Sequence, residues 1–189
     1  MATPIGDEPE VITGPGALYV APWGTPLPDE FDDTLDAAFT EVGFTTTGHE
    51  WNYTTERQEI RVAERLRPIR YQAGSTTATW SFTMAQYSPE NLKLAIPGTT
   101  VETTAGGSVK VTLPKTSGLE RYTVVHKSES GKIVHVLVKC MLSMSGASTF
   151  GSIDSTDVAG LQVEAALEEN SGGDDAYVLF DEALYEWSS

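Results

Sequence analysis

The amino-acid sequence predicts a mainly β fold: a β-sandwich or barrel with one short flanking α-helix. Two observations support this expectation. Short segments that alternate apolar and polar residues recur along the chain, and turns rich in glycine, proline, aspartate or serine separate them. One segment, 88–97, instead carries the start and stop signals of a helix. The 189 residues contain no linker-like stretch, so a single domain over 1–189 is expected.

The stretch 50–85 predicts a long β-hairpin. Its second strand, Thr76–Ala85, places Trp80, Phe82 and Met84 on one side and hydroxyl-bearing residues on the other, which is typical of a half-buried strand. Residues 55–75 form an arm in which 63–74 has no clear period, and strand structure could continue part-way into it. Hairpin loops usually have about two to five residues, so an arm of this length indicates contact with a partner.

The helix prediction depends on the two ends of the segment. Ser88 is a favourable N-cap, Pro89 suits the first helical position, and Pro97-Gly98 ends the helix. Apolar residues from Leu92 to Ile96 would lie against a sheet.

The remaining predicted strands are Gly14–Trp23, Ala38–Phe44, Ser108–Leu113, Arg121–His126, Ile133–Met144, Gly160–Glu169 and Ala176–Phe180. In the strongest of them, even-numbered residues from Val134 to Met144 predict an unbroken apolar face, and His135 and Lys139 belong to the opposite, mixed face. Alternation favours a strand over Gly160–Glu169, although its alanine, leucine and glutamate content also allows a helix.

Charge is distributed unevenly along the chain. The net charge is −15, with −11 in residues 1–56, +6 in 57–139 and −10 in 140–189. One interpretation is a solvated acidic surface. The other is a protomer with oppositely charged faces that attract one another head-to-tail.

No segment carries a catalytic, metal-binding or cofactor-binding motif, so we expect neither an enzyme nor a cofactor. His49, His126 and His135 lack the spacing of metal ligands, and Cys140 lies on an apolar strand face, where a core role is expected. No run approaches the roughly 20 apolar residues that cross a bilayer, so no membrane association is expected.

Several segments, in their order and spacing, resemble one known family. They are GALYVAPWGT near the start, FTEVGFTTTG before the hairpin, RPIR at the end of the arm, TATWSFTMA in the second hairpin strand, and SPENLKLAIPG in the helix. The chain resembles the major tail tube proteins of long-tailed, siphovirus-like bacteriophages. The similarity covers Gly16–Gly98 well and Lys132–Leu167 more loosely.

The resemblance implies a structural virion protein and no catalytic residue. Its subunits would form hexameric rings that stack into the tail tube, a conduit for DNA ejection, after assembly in the host cytoplasm. Strands of neighbouring subunits would pair edge-to-edge to close an inner barrel. Expected partners are further copies of the chain and other tail proteins, such as the tape measure and terminator, while DNA passes without specific binding.

These implications select two groups of candidate residues. A wall that conducts DNA should carry hydroxyls or acids, and the lumen-facing candidates are Thr77, Thr79, Ser81, Thr83, Gln162, Glu164 and Glu168. His135 and Lys139 would interrupt this face if they pointed the same way. The arm would reach the next ring, and the inter-ring candidates are Arg57, Arg61, Arg65, Arg67 and Arg70.

The alternative hypothesis is a β-sandwich binding module for carbohydrate or a receptor on a virion or cell surface. Its stacking platform would consist of the aromatic residues Trp23, Trp51, Tyr53 and Trp187.

Overall fold

The computed structural model describes residues 16–45, 48–63, 66–116, 118, 120–146 and 160–182. The elements in these ranges are β1 (Ala17–Pro22), β2 (Thr40–Glu41), β3 (Glu50–Ile60), β4 (Arg70–Met84), α1 (Pro89–Ala95), β5 (Thr100–Thr103), β6 (Val109–Thr112), β7 (Tyr122–Lys127), β8 (Ile133–Met144), β9 (Leu161–Leu167) and β10 (Ala176–Phe180). The prediction of a mainly β fold with one short helix is confirmed.

One antiparallel sheet contains eight of the strands in the order β2-β1-β7-β8-β9-β4-β3, and β10 also pairs with β8. The long strand β8 joins two parts of this sheet. Its first half, Ile133–Leu137, pairs with β10, and its second half, Cys140–Met144, pairs with β9. Strands β5 and β6 form a separate two-stranded ribbon.

A β-bulge reverses the alternation of side chains within β8. Thr123 of β7 stands opposite two β8 residues, Val138 and Lys139, instead of one. Its hydroxyl donates a hydrogen bond of 2.8 Å to the Val138 carbonyl. Because a bulge adds one residue to one strand, the side chains that follow it point to the opposite face.

Two hydrophobic clusters lie on opposite sides of the β1–β7–β8 layer. The larger cluster is built from Leu18, Val20, Val42, Trp80, Phe82, Met84, Ala95, Tyr122, Val124, Leu137, Cys140, Leu142, Leu161, Val163 and Ala165. The smaller contains Val125, Val134, Val136 and Val138, covered by Leu27, Phe31, Leu35 and Phe39 and by Tyr177 and Leu179. The prediction of an unbroken apolar face from Val134 to Met144 is therefore wrong, because the bulge divides β8 between the clusters.

The two ends of the helix lie where the sequence indicated. The Ser88 hydroxyl accepts a hydrogen bond of 3.1 Å from the Asn91 N–H, Pro89 occupies the first turn, and Ile96 is the C-cap. Leu92 and Ala95 pack against the larger cluster, so α1 closes one side of the core.

Two other segments differ from the sequence-based expectations. Strand β2 contains only Thr40–Glu41, and Gly43 follows it with a φ of +85°. Strand β5 was not predicted, whereas β4 begins at Arg70 and so extends part-way into the segment without a clear period, as the sequence allowed. Gly160–Glu169 contains a strand, as alternation favoured.

Candidate assembly surfaces

The four strands β8–β9–β4–β3 form a sheet with one apolar and one polar face. Trp80, Phe82 and Met84 enter the larger cluster, so the alternate β4 residues lie on the opposite face. Rows of cross-strand partners on that face are Glu50–Ser81–Glu164–Ser143, Asn52–Thr79–Ala166–Met141, Thr54–Thr77 and Thr83–Gln162. The polar face thus carries hydroxyl, amide and carboxylate groups across all four strands.

The structure places six of the seven predicted lumen-facing residues on this polar face: Thr77, Thr79, Ser81, Thr83, Gln162 and Glu164. The seventh, Glu168, follows β9 and takes part in an ion-pair cluster. Its carboxylate lies 2.5 Å from Arg121 Nε and 3.6 Å from Lys139 Nζ. The charge of Glu168 is therefore compensated within the protomer.

The β8 bulge separates His135 from Lys139. Lys139 lies beside Glu168 and over the ring of Trp23, with Nζ 5.3 Å from the ring centroid. His135 lies before the bulge and contacts Trp80, with ring centroids 5.3 Å apart. The two residues do not share a face, so His135 does not interrupt the polar face.

Both edges of the four-stranded sheet are open among the described residues. Strand β3 pairs only with β4. On the other side, the pairing of β7 with β8 ends at Cys140, which leaves one edge of Met141–Met144 without a described partner strand. An open edge presents unpaired N–H and C=O groups, which makes it a template for pairing with another chain.

The hairpin β3–β4 extends beyond the sheet as a two-stranded ribbon, which we name the arm (residues 55–75). Only Thr79–Met84 of β4 pair with β9, whereas the strand pairing with β3 continues to Ile60 opposite Arg70. Every described side chain of β3 is exposed. An isolated two-stranded ribbon is marginally stable in water, so this arm is expected to gain stability from a partner.

The outer part of the arm combines cationic and apolar side chains. Leu66 is fully exposed, at 101%, and Ile69 and Tyr71 are more than half exposed. Arg61 pairs with Glu59 at 2.5 Å. Arg57, Arg67 and Arg70 are exposed and pair with no carboxylate of the described residues, and Arg65 lies outside those residues.

The three histidines meet in space, which their sequence spacing did not indicate. His126 and His135 are cross-strand partners in β7 and β8, and their Nδ1 atoms are 3.5 Å apart. The ring centroids of His49 and His126 are 4.7 Å apart. Trp80 donates from Nε1 to His49 Nδ1 at 3.4 Å, and the Nε2 atom of His49 is buried with no hydrogen-bond partner in the described part of the chain.

This histidine cluster favours neutral rings. Burial, followed by the proximity of His126, lowers the pKa of His49 from 6.5 to about 4. The same two causes lower the pKa of His135 from 6.5 to about 4. In the described ranges, no group of histidine, cysteine, aspartate and glutamate side chains has an arrangement that could hold a metal ion.

A cleft of about 780 Å³ lies between the base of the hairpin and β10. Its lining includes the exposed aromatic side chains Trp51 and Tyr53, together with Tyr177 and Val178. Four acidic residues also line it: Glu168, Glu169, Asp174 and Asp175. The cleft therefore combines an aromatic wall with negative charge.

The aromatic platform of the alternative hypothesis is only partly assembled. Trp51 packs on Trp80, with ring centroids 5.6 Å apart, and shares the cleft with Tyr53. Trp23 lies under Lys139 and is not among the residues that line the cleft, and Trp187 lies outside the described residues.

Cys140 is fully buried, as expected for a core residue, and burial followed by the charge of Glu168 raises the pKa of its thiol from 9.0 to about 12.

Comparison with known proteins identifies the family. A family described as "Phage tail tube protein" matches residues 3–187. No curated protein sequence matches the chain. None of the helices in the described residues is long and apolar enough to span a membrane.

Similar solved structures include two from the anti-feeding prophage. Its cap, described as the AFP tube terminating cap, has a TM-score of 0.45 and 10% sequence identity, over 95% of this chain and 97% of that chain. Its baseplate has a TM-score of 0.38 and 11% identity, over 95% of this chain and 98% of that chain. Both TM-scores are below 0.5, so the family assignment depends on the sequence match alone. That match covers nearly the whole sequence and confirms the resemblance: the chain belongs to the phage tail tube protein family.

Proposed function

We propose that this chain forms hexameric rings that stack into the tail tube, and that DNA is ejected through the lumen. A structural role in the virion tail follows from the family. The observation that supports the finer proposal is the four-stranded sheet β8–β9–β4–β3, which has two open edges and one polar face. Such a sheet is completed when the edges of neighbouring subunits pair and close a barrel.

Ring closure joins β3 of one subunit to Met141–Met144 of the next. Both segments lie at opposite edges of the same sheet, so a neighbouring subunit on either side extends the existing hydrogen-bond ladder. Head-to-tail contacts of this kind use two different surfaces of each subunit. They form a closed ring only if the repeated rotation between subunits returns to the first subunit.

The polar face becomes the wall of the lumen. Its acids, Glu50 and Glu164, repel the phosphate backbone, and its hydroxyl groups carry no charge. Lys139 of β8 and Arg121 are both paired with Glu168. A wall of this composition lets DNA move without binding it.

The arm makes the contact between rings. It projects from the sheet with exposed apolar and cationic side chains, and a two-stranded ribbon of this kind gains stability when it packs on another protein. Other tail proteins, such as the tape measure and terminator, would contact the same tube in the virion tail. The tube would be assembled in the host cytoplasm. The protein would act without catalysis or a cofactor.

Ring closure can be tested by cross-linking the two edges. Asn52 and Ser143 lie on the polar face of β3 and β8. In the double variant Asn52→Cys/Ser143→Cys, oxidation should produce a ladder of covalent oligomers that ends at six copies. Thr54→Cys/Ser143→Cys, which moves the β3 cysteine by two residues along the same face, allows for a different register.

Each single-cysteine variant is the matched control and should produce no ladder. The native Cys140 need not be removed, because it is fully buried. Negative-stain images of the purified protein provide the second measurement. If concentrated protein remains monomeric in these images and the double variants give no ladder, the ring proposal is wrong.

The role of the lumen wall has its own test. Thr79→Lys adds a cation to the centre of the polar face, where Thr79 stands between Asn52 and Ala166. Tubes of this variant should retain double-stranded DNA in a salt-dependent way, because each phosphate contact releases counterions. Tubes of the unmodified chain should retain none, and strong retention by them would contradict the proposed wall.

A further inference from the structure

We propose that the cleft beside β10 receives the tip of the arm from a second copy of this chain. The inference rests on the proposed stacking of rings, and it adds the surface that each arm would contact. The arm tip is made of residues 61–63 and 66–70 at the far end of the hairpin, and the cleft lies between the base of the hairpin and β10.

The two surfaces are complementary in charge. The cleft is lined by Glu168, Glu169, Asp174 and Asp175, of which Glu168 is already paired with Arg121 and Lys139. Burial and then the charges of Asp29 and Asp174 raise the pKa of Tyr177, consistent with a negative potential at this wall. The arm tip carries Arg67 and Arg70, which pair with no carboxylate of the described residues.

The two surfaces also match in their apolar content. Leu66 is fully exposed and Ile69 is 51% exposed, beside the two arginines. The cleft offers Trp51, Tyr53 and Val178 as exposed apolar area. Docking would remove these side chains from water and bring the cations within reach of the acids. Arginine is well suited to such a site, because it stacks on aromatic rings and pairs with carboxylates.

The arm of the same copy cannot fill the cleft. Tyr53 and Thr76 line the cleft at the base of the ribbon, while the arm tip begins at the opposite end, at the pair formed by Ile60 and Arg70. At about 3.3 Å per residue, the six residues from Thr76 to Arg70 place the arm tip about 20 Å from the cleft. To reach it, the ribbon would have to fold back and break its own strand pairing. The occupant must come from another copy.

A charge-swap experiment tests the contact. The arm variant is Arg67→Glu/Arg70→Glu, and the cleft variant is Glu169→Arg/Asp174→Arg. These two acids are chosen because no described hydrogen bond or ion pair uses their carboxylates, whereas Asp175 accepts a hydrogen bond from the Asn170 N–H. The control variant is Asp32→Arg/Glu129→Arg, which reverses two exposed acids outside the cleft.

Tube length is measured by negative-stain electron microscopy and sedimentation at low salt. Each reversal variant alone should require at least a tenfold higher protein concentration to elongate, because like charges then face one another. A mixture of the two variants should elongate as the unmodified chain does, since each arm then meets a cleft of opposite charge. The control variant should also elongate normally. Salt at about 1 M should reduce all of these differences through screening.

A disulfide provides a second test that does not depend on reversed charges. Leu66→Cys/Val178→Cys places one cysteine at the arm tip and one in the cleft, and oxidised tubes should contain covalent links between copies. Leu66→Cys/Leu113→Cys is the matched control, because Leu113 is 58% exposed but does not line the cleft. If the cleft pair gives no more cross-linking than the control pair, the inference is overturned.

The outcomes separate this inference from the proposed function. Normal elongation of the cleft variant at low salt would refute the arm–cleft contact and leave the tube proposal standing. Failure of the unmodified chain to form rings or tubes would instead refute the proposed function. If a reversal variant does not fold, the disulfide pair decides the question.

Discussion

The histidine cluster predicts that the protomer loses stability in mild acid. His49 and His135 have a folded pKa of about 4, below their ordinary value of 6.5, so the folded protein binds fewer protons than the unfolded chain between these values. Their neutral rings therefore stabilise the fold fully above pH 6.5. This contribution is lost as the pH falls from 6.5 towards 4.

The size of the effect follows from the two pKa values. At pH 5, a pKa lowered from 6.5 to about 4 costs about 2 kcal/mol per ring relative to pH 7.5. Both rings keep some contact with water, which screens the effect, so we expect about 1 kcal/mol each and about 2 kcal/mol together. This loss is large compared with the 5–15 kcal/mol or so of typical domain stability.

Urea unfolding at pH 7.5 and pH 5.0, followed by tryptophan fluorescence, measures this loss. Carboxylates also titrate in this range, so the comparison needs the variant His49→Gln/His135→Gln, which keeps hydrogen-bonding side chains but removes the titrating rings. The free energy of unfolding should fall about 2 kcal/mol more in the unmodified protein than in this variant. An equal fall in both proteins would show that the rings do not resist protonation, and the reasoning from burial would be refuted.

Three further predictions concern single buried groups. Thr123→Val removes the hydrogen bond to the Val138 carbonyl and should lower the free energy of unfolding by about 1–2 kcal/mol in urea. Thr123→Ser, which keeps the hydroxyl, should lose less; equal losses would assign the effect to packing. Asn91→Leu leaves the Gln86 carbonyl without its donor and should cost about 1–3 kcal/mol, whereas unchanged stability would mean that this bond is dispensable. Cys140 should react with a thiol reagent at pH 8 only after unfolding, and fast labelling of the native protein would contradict its burial.

Sequence reasoning succeeded where one local signal determines the structure. The alternation around Trp80 identified the buried face of β4, because consecutive strand residues point to opposite sides whatever the neighbouring strands are. The start of α1 was predicted because Ser88 and Pro89 act within one helical turn. The same alternation placed the seven lumen-facing candidates, including Thr79 and Ser81, on one face. Six of them lie on the polar face, and Glu168, which follows β9, takes part in an ion-pair cluster.

Sequence reasoning did not succeed where a feature depends on two distant segments of the chain. The bulge in β8 arises from its pairing with Thr123, and nothing in the residues of β8 alone marks it. Strand β5 is short and exposed and pairs with β6, and its residues show no apolar period. The outer arm is exposed on both faces, which removes the alternation that normally reveals a strand.

The histidine cluster was partly within reach of the sequence. A tight turn at 128–132 fixes the register of β7 and β8, and in that register His126 stands opposite His135. Pairing the two strands around the turn would therefore have brought these two rings together. His49 precedes β3 and joins them through tertiary packing against Trp80, for which its neighbours in the sequence give no signal.

The β8 bulge explains how one strand can serve both the core of the protomer and the proposed wall of the lumen. Without it, His135 and Lys139 would share a face, and either a charged lysine would enter the core or an imidazole would leave it. The added residue instead places His135 against Trp80 in the interior and Lys139 beside Glu168, where its charge is compensated. It also moves Cys140 and Leu142 into the larger cluster, which leaves Ser143 on the polar face. A single irregularity in the pairing with β7 thus keeps the charge of Lys139 out of the core, and the pairing of Lys139 with Glu168 compensates that charge.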